Sequence, residues 1–141
     1  MRTIFIDLSF AFIIAGPVFA QSTNDAYNKI AKAARNSVGT HKSNGISGVM
    51  SNVTKCYTKD GRNGDFYCLY LDLAGRHIDQ IFSKEMNFPP QEFFADEQFL
   101  NRVGRLFVFK GMTLEQSNEY LRLSTLVVNK HVENQLQQKK R

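Results

Sequence analysis

Three charged residues in the middle of the chain have the types and spacing that chemistry would need. Asp72, Arg76 and Asp79 lie at i, i+4 and i+7, so on a helix they share one side, away from its most apolar stripe. Two carboxylates around an arginine can hold a polar ligand or act as an acid/base pair. The same spacing also gives an ordinary ion-pair ladder. A third interpretation is that the last helix partly buries the group, which then fixes the packing there.

A charged turn is the second candidate for binding. Lys59, Asp60 and Arg62 lie in a glycine-containing stretch between two segments of helical periodicity. If a disulfide pins the base of this turn, its conformation is preorganised for a protein partner. The alternative is a solvated turn with no role in binding.

The two cysteines, Cys56 and Cys68, are predicted to form that disulfide. An even pair is typical of a disulfide in an oxidising compartment, whereas a cytosolic pair suggests metal or redox chemistry. Two cysteines cannot supply four zinc ligands, and His41, His77 and His131 show no ligand spacing. No serine or cysteine can be matched with an orienting histidine and carboxylate. We therefore predict no catalytic residue, no metal site, no cofactor and no enzymatic activity.

Residues 1–20 are predicted to be an export signal. They have Arg2 near the start, an apolar run over 8–15 and a Gly-Pro pair before Ala20, so cleavage is expected between Ala20 and Gln21. The run is shorter than the about 20 residues of a membrane-spanning helix, and an uncleaved anchor is the main alternative. The mature chain, 21–141, is then periplasmic or secreted, without stable membrane insertion.

The mature chain has a modest positive charge that is concentrated at its end. One basic and one acidic residue fall in the signal, so the net charge of +5 is unchanged by cleavage. Three of these charges are the terminal Lys139, Lys140 and Arg141. Because the rest of the domain is close to neutral, it lacks the footprint of a nucleic-acid-binding protein.

Hydrophobic periodicity predicts one all-α domain of about five helices, with the disulfide across a helical hairpin. A loop is expected over 39–45, and a short strand is the less favoured alternative for 107–109. The basic tail, 136–141, is expected to fray. Thr113 and Gln116 have the spacing of a capping box for the last helix, and periodicity places Leu100 and Leu114 on inward-facing stripes. The predicted helices cover about 23–36, 46–57, 66–82, 91–109 with a break near 95–96, and a last helix from 114.

The chain is rich in aromatic residues, with twelve phenylalanines and five tyrosines. Phe93, Phe94 and the run 107–109 exceed what one helical stripe needs, so they are candidates for an exposed patch that binds a partner. The alternative is that they fill gaps in an irregular helical core.

In its general plan the mature chain resembles small periplasmic immunity proteins that neutralise the amidase effectors of the type VI secretion system. The plan is export, small size, helical hairpins and one disulfide; no diagnostic motif accompanies it, so no family residues are carried over. The resemblance implies a protein partner, namely a secreted cell-wall-degrading enzyme, and a homodimer.

Two other functional classes stay open. The first is a small hydrolase that acts on an envelope polymer through Asp72 and Asp79. On one helix these carboxylates are separated by about 10.5 Å along the axis, which is long for a glycosidase pair. The second is a lipid or peptide carrier, which an apolar cavity of several hundred cubic ångströms would favour.

Overall fold

The computed structural model describes residues 17–59 and 65–138, with side chains from residue 23 onward. Residues 1–16 of the predicted signal lie outside this part of the chain. The described residues form helices and no strand, which confirms the all-α prediction. The elements are α1 Pro17–Lys59, α2 Phe66–Met86, a 3-10 turn Glu92–Phe94, α3 Asp96–Phe109 and α4 Leu114–Gln137.

The prediction of five helices was wrong, because the first two predicted helices form one kinked element, α1. The expected loop over 39–45 is helical up to Gly45, which alone leaves the helix with a φ of 65°. Turn-forming residues suggested the loop, but contacts with α2 override that local preference. His41 stacks on Phe82 of α2 with a ring-centroid distance of 4.3 Å, and buried valines lie on both sides of the kink.

A disulfide closes the hairpin formed by α1 and α2. Cys56 and Cys68 are bonded, with Cα atoms 5.5 Å apart, so the predicted bridge is confirmed. Asp65 begins α2, because its carboxylate accepts a hydrogen bond from the backbone N–H of Tyr67 at 3.0 Å. This N-cap and the bridge fix the direction in which α2 leaves the turn.

Helix α2 is the centre of the fold, and both α1 and α4 pack along it. Its fully buried side chains include Leu69, Tyr70 and Ile78. Gly75 is the point of closest approach. A Cβ added there would lie 2.8 Å from Phe94 Cζ and 2.8 Å from Val49 Cγ1. The missing side chain therefore lets α1 and the 3-10 turn meet over the same part of α2.

The helical break that the sequence predicted near residues 95–96 is confirmed. The 3-10 turn ends at Phe94, and α3 begins at Asp96. The last residues of α3, which had strand as an alternative, are helical through Phe109. Helix α3 contacts α2 over a short stretch only, so it lies further from the centre of the domain than α1 and α4 do.

The predicted capping box at the start of α4 is also confirmed. Thr113 accepts a hydrogen bond from the Gln116 backbone N–H, and the Gln116 side chain accepts one from the Thr113 N–H. Helix α4 continues to Gln137, into the tail that was expected to fray. Within the described ranges, no helix is both long and apolar enough to cross a membrane.

Gly75→Ala is expected to destabilise the protein, since the new methyl group must displace Phe94 or Val49. Overpacking of this kind costs about 1–3 kcal/mol. Gly39→Ala is the matched control, because a Cβ at Gly39 meets nothing within 4 Å. The control should raise the free energy of unfolding by about 0.5–1 kcal/mol, the usual gain of alanine over glycine in a helix. Urea unfolding measures both; equal effects would contradict this packing.

Reduction of the disulfide is expected to destabilise the domain by about 3 kcal/mol, because the bridge restricts the unfolded chain. For a domain of this size the loss lowers the Tm by about 10 °C. Cys56→Ser/Cys68→Ser should reproduce the shift without reductant, and its Tm should not respond to reductant. A wild-type Tm that is the same in oxidising and reducing buffer would show that the bridge has no stabilising role.

Candidate functional site

A buried ion pair lies at the centre of the predicted polar cluster. Asp72 of α2 is fully buried, and Arg102 of α3 binds it through two nitrogen atoms of its guanidinium group. Arg102 Nε lies 2.8 Å from Asp72 Oδ2, and Nη2 lies 2.9 Å from Oδ1. The guanidinium plane covers the ring of Phe93, with 3.9 Å between Cζ and the ring centroid. The arrangement is a bidentate, stacked arginine of the kind that a lysine cannot replace.

The surroundings of Asp72 exclude water. Burial raises the pKa of the Asp72 carboxyl, while the hydrogen bonds and charge of Arg102 act in the opposite direction. The Tyr57 hydroxyl is buried beside Asp72 and makes no hydrogen bond of good geometry with the described residues. Burial also raises the pKa of Tyr57, which keeps the phenol neutral. A carboxylate enclosed in this way is not available to a substrate.

The other two members of the cluster also bind residues outside α2. Arg76 pairs with Asp96 at the start of α3, and its guanidinium lies 4.7 Å from the ring centroid of Phe99. Asp79 accepts a hydrogen bond of 2.8 Å from the backbone N–H of Gln91. Each charged residue of the cluster therefore holds a different point of the segment that runs from the 3-10 turn to α3.

This geometry differs from the pairing that the sequence suggested. Asp72, Arg76 and Asp79 do share a buried or half-buried side of α2, but the segment over them is the 3-10 turn and α3, not the last helix. Sequence reasoning missed Arg102. Its position three residues after Phe99 and four before Leu106, both buried, was the available signal, because a charge inside an apolar stripe requires a partner.

Of the three residues predicted for the charged turn, only Lys59 lies in the described part of the chain. Lys59 is exposed in the last turn of α1. Asp60 and Arg62 lie outside the described residues. The bonded cysteines have no free thiol, which removes them as nucleophiles. In the part of the chain that the structure describes, no three His, Cys, Asp or Glu side chains are grouped to hold a metal ion.

The three histidines occupy different environments. His41 is stacked on Phe82, and burial lowers its pKa. His131 packs edge-on against Tyr27 with ring centroids 4.8 Å apart, and burial again lowers its pKa. His77 bonds Glu133 through Nε2 at 2.9 Å, while its buried Nδ1 has no partner among the described residues. None of them is arranged with a nucleophile.

The aromatic residues that were candidates for an exposed patch divide between core and surface. Phe94 and Phe107 are buried. Phe93 supports Arg102 and packs edge-on against Phe94 with ring centroids 4.9 Å apart. Phe109 is exposed, as is its neighbour Val108. Most of these aromatic side chains therefore pack in the core or against the ion pair.

A concave surface lies between α3 and α4, which have little direct backbone contact beyond the turn that joins them. We call it the α3–α4 groove. Its apolar end encloses about 330 Å³. Leu100 and Leu114, which periodicity had assigned to the core, are 53% and 78% exposed, and Val108 is 79% exposed. The side chains that define this end are Leu100, Val103, Phe107, Val108, Leu114 and Leu121.

The polar end of the groove is a second cavity of about 390 Å³, where α2 joins the walls. Leu100 and Leu121 line both cavities, so the two ends are adjacent. The polar groups at this end are Arg76, His77, Gln80, Asp96, Thr125 and Asn129. The groove thus combines an apolar surface with hydrogen-bonding side chains contributed by three helices.

A double-mutant cycle should reveal strong coupling between Asp72 and Arg102. Asp72→Leu or Arg102→Met alone leaves the other charge buried without its partner, which costs about 3–5 kcal/mol. The double variant should lose much less than the sum, since two apolar groups of similar volume can replace a buried pair. Urea unfolding gives the free energies. Glu119→Gln, in an exposed pair with Arg122, is the control and should have no effect. Additive losses at Asp72 and Arg102 would contradict the pairing.

Comparison with known proteins identifies no relative. No protein-family model, no curated protein and no solved structure matches the chain. The buried polar contacts and the α3–α4 groove are accordingly the features from which a function is inferred.

Proposed function

We propose that this chain is an exported protein that binds another protein and inhibits it, as an immunity protein does against a cell-wall-degrading effector. The observation that carries the proposal is the exposure of large apolar side chains along one groove. Export follows from the predicted signal, and the disulfide is compatible with an oxidising compartment.

The polar cluster of α2 supports a binding role over a catalytic one. Asp72 is enclosed by Arg102, Arg76 is paired with Asp96, and Asp79 is bonded to the backbone of Gln91. A general acid or base must reach the proton that it transfers. Two of these groups are buried carboxylates, and all three already have partners, so the cluster favours a structural role.

The groove supports a protein partner because its exposed apolar residues are grouped. Single exposed apolar residues are common on protein surfaces, but a contiguous set beside polar groups is typical of a binding site. Leu100, Val108 and Leu114 are all more than half exposed and line one groove. Partner binding would remove this surface from water, which is the main favourable contribution to association.

A lipid or peptide carrier is the second candidate. The apolar end of the groove, at about 330 Å³, has the volume of a small-ligand site. The adjacent polar end favours a ligand with hydrogen-bonding groups over a plain acyl chain. This candidate predicts a small molecule bound to the purified protein, which native mass spectrometry would detect.

The proposal is tested by cross-linking in the periplasm followed by an inhibition assay. We expect the chain to co-purify with one protein that cleaves peptidoglycan in isolation. Addition of an equimolar amount of the purified chain should abolish that cleavage, as expected for a tight inhibitor with a Kd below the enzyme concentration. Release of soluble peptidoglycan fragments is the measurement, and a variant that the partner cannot bind, identified from the cross-link, is the control.

Two results would refute the proposal. One is peptidoglycan cleavage by the chain itself that Asp72→Asn abolishes without loss of secondary structure, which would make the protein a hydrolase. The other is an isolated partner whose activity does not change when the chain is added in excess. A bound lipid without any protein partner would favour the carrier.

A further inference from the structure

We propose that the α3–α4 groove binds a segment of the partner in which an apolar side chain lies next to an uncharged amide. The inference rests on the proposed function and specifies the chemistry of its binding site. The apolar side chain occupies the end between Leu100 and Leu114, and the amide occupies the end beside Gln80 and Asn129. The shared residues Leu100 and Leu121 make the two positions adjacent.

The apolar end has room because of Gly104. Leu100, Gly104 and Val108 are spaced by four residues on α3, so they lie along one side of the helix. A Cβ added at Gly104 would meet nothing within 4 Å. The glycine therefore leaves an open depression between two exposed aliphatic side chains, and an aliphatic or aromatic side chain of a partner can fill it.

The charged side chains at the polar end already have partners. Arg76 is paired with Asp96, and its guanidinium also covers Phe99. His77 is hydrogen-bonded to Glu133. Among the described residues that line this end, no cation or anion is left without a partner, so a strongly charged group would be desolvated without a counter-charge, which is unfavourable. An uncharged polar group has no such penalty.

The groups left for hydrogen bonding suit an amide. No bond ties the side chains of Gln80 and Asn129 to other described residues, and each offers two donors and a carbonyl acceptor. Thr125 donates to the backbone oxygen of Leu121 and can still accept. An Asn or Gln side chain, or an exposed backbone amide, has both donors and acceptors to match.

A second copy of the chain fits the groove less well. In a two-fold dimer centred on this surface the same patch faces itself, so two concave grooves would meet and leave their centres unfilled. A phospholipid fits less well too. Its charged headgroup would lie at an end with no free counter-charge. A loop or helix of another protein can present an apolar and an amide group at short spacing.

Gly104→Trp is the blocking variant, and Gly39→Trp is its matched control. Both glycines are helical, and both have open space where a side chain would begin. Gly39 lies on α1 and does not line the groove. Asn129→Ala removes an amide from the polar end, and Asn134→Ala removes an exposed amide from the same helix outside the groove. The chain purified from the periplasm is used throughout.

The probe is a phage-displayed library of short random peptides selected on the wild-type chain. We expect the enriched peptides to place Asn or Gln next to Leu, Ile or Phe. Their synthetic forms should bind the wild type and Gly39→Trp equally. They should bind Gly104→Trp and Asn129→Ala at least about tenfold more weakly, while Asn134→Ala stays unchanged. Fluorescence anisotropy measures the affinities, and circular dichroism confirms that each variant is folded.

The inference is overturned if no enriched peptide depends on Gly104, or if the dependent peptides are selected for charge. It is overturned too if sedimentation shows a dimer that Gly104→Trp alone dissociates, or if phosphatidylglycerol vesicles bind the wild type but not this variant. The proposed function is tested separately. An inhibited hydrolase that binds Gly104→Trp as tightly as the wild type would refute the groove and leave inhibition standing. Peptide binding without any such hydrolase would refute inhibition alone.

Discussion

The buried pair of Asp72 and Arg102 is the interaction on which the position of α3 depends. A carboxylate with no exposed surface is unfavourable in a protein interior unless a partner binds both of its oxygens. Arg102 meets that need with its guanidinium plane against Phe93. Because desolvation of the two charges offsets much of their attraction, such a pair adds little net stability compared with apolar residues. We infer that its main role is to fix where α3 lies on α2.

Two further polar contacts also hold α3 and the segment before it against α2. Arg76 with Asp96 fixes the first turn of α3, and Asp79 with the Gln91 amide fixes the chain that leads into it. Gly75 permits the 3-10 turn to approach α2 closely. Together they hold the start of α3 and the segment before it against α2. Leu100 and Val108 of α3 stay exposed and line the groove with Leu114 and Leu121 of α4.

The sequence allowed prediction of those features that depend on local patterns. Helical periodicity identified α2, the residues Thr113 and Gln116 identified the start of α4, and cysteine usage identified the bridge. The prediction of a loop over 39–45 was wrong. Its residues are turn formers, but their local preference is weaker than the stabilisation from packing His41 and the neighbouring valines on α2. The local propensity of these residues gives no information on that tertiary contact.

The candidate site was predictable only in part, for a similar reason. The spacing of Asp72, Arg76 and Asp79 marked the right side of α2, but their partners lie 12 to 30 residues away in sequence. Periodicity also assigned Leu100 and Leu114 to the core, since an exposed apolar residue and a buried one have the same pattern. Both are exposed because α3 and α4 make little contact beyond the turn that joins them, which the sequence pattern does not reveal.

Native-state amide hydrogen exchange tests most directly whether the buried pair positions α3. In Arg102→Met, we expect the amides of α3 and of the 3-10 turn to lose more protection than those in the centre of α2, whose protection should fall only by the loss of global stability. This result would mean that α3 opens as a separate unit once its charged contacts are removed. An equal loss of protection in α1, α2 and α3 would contradict the account, because the pair would then stabilise the whole domain without a specific role in placing α3.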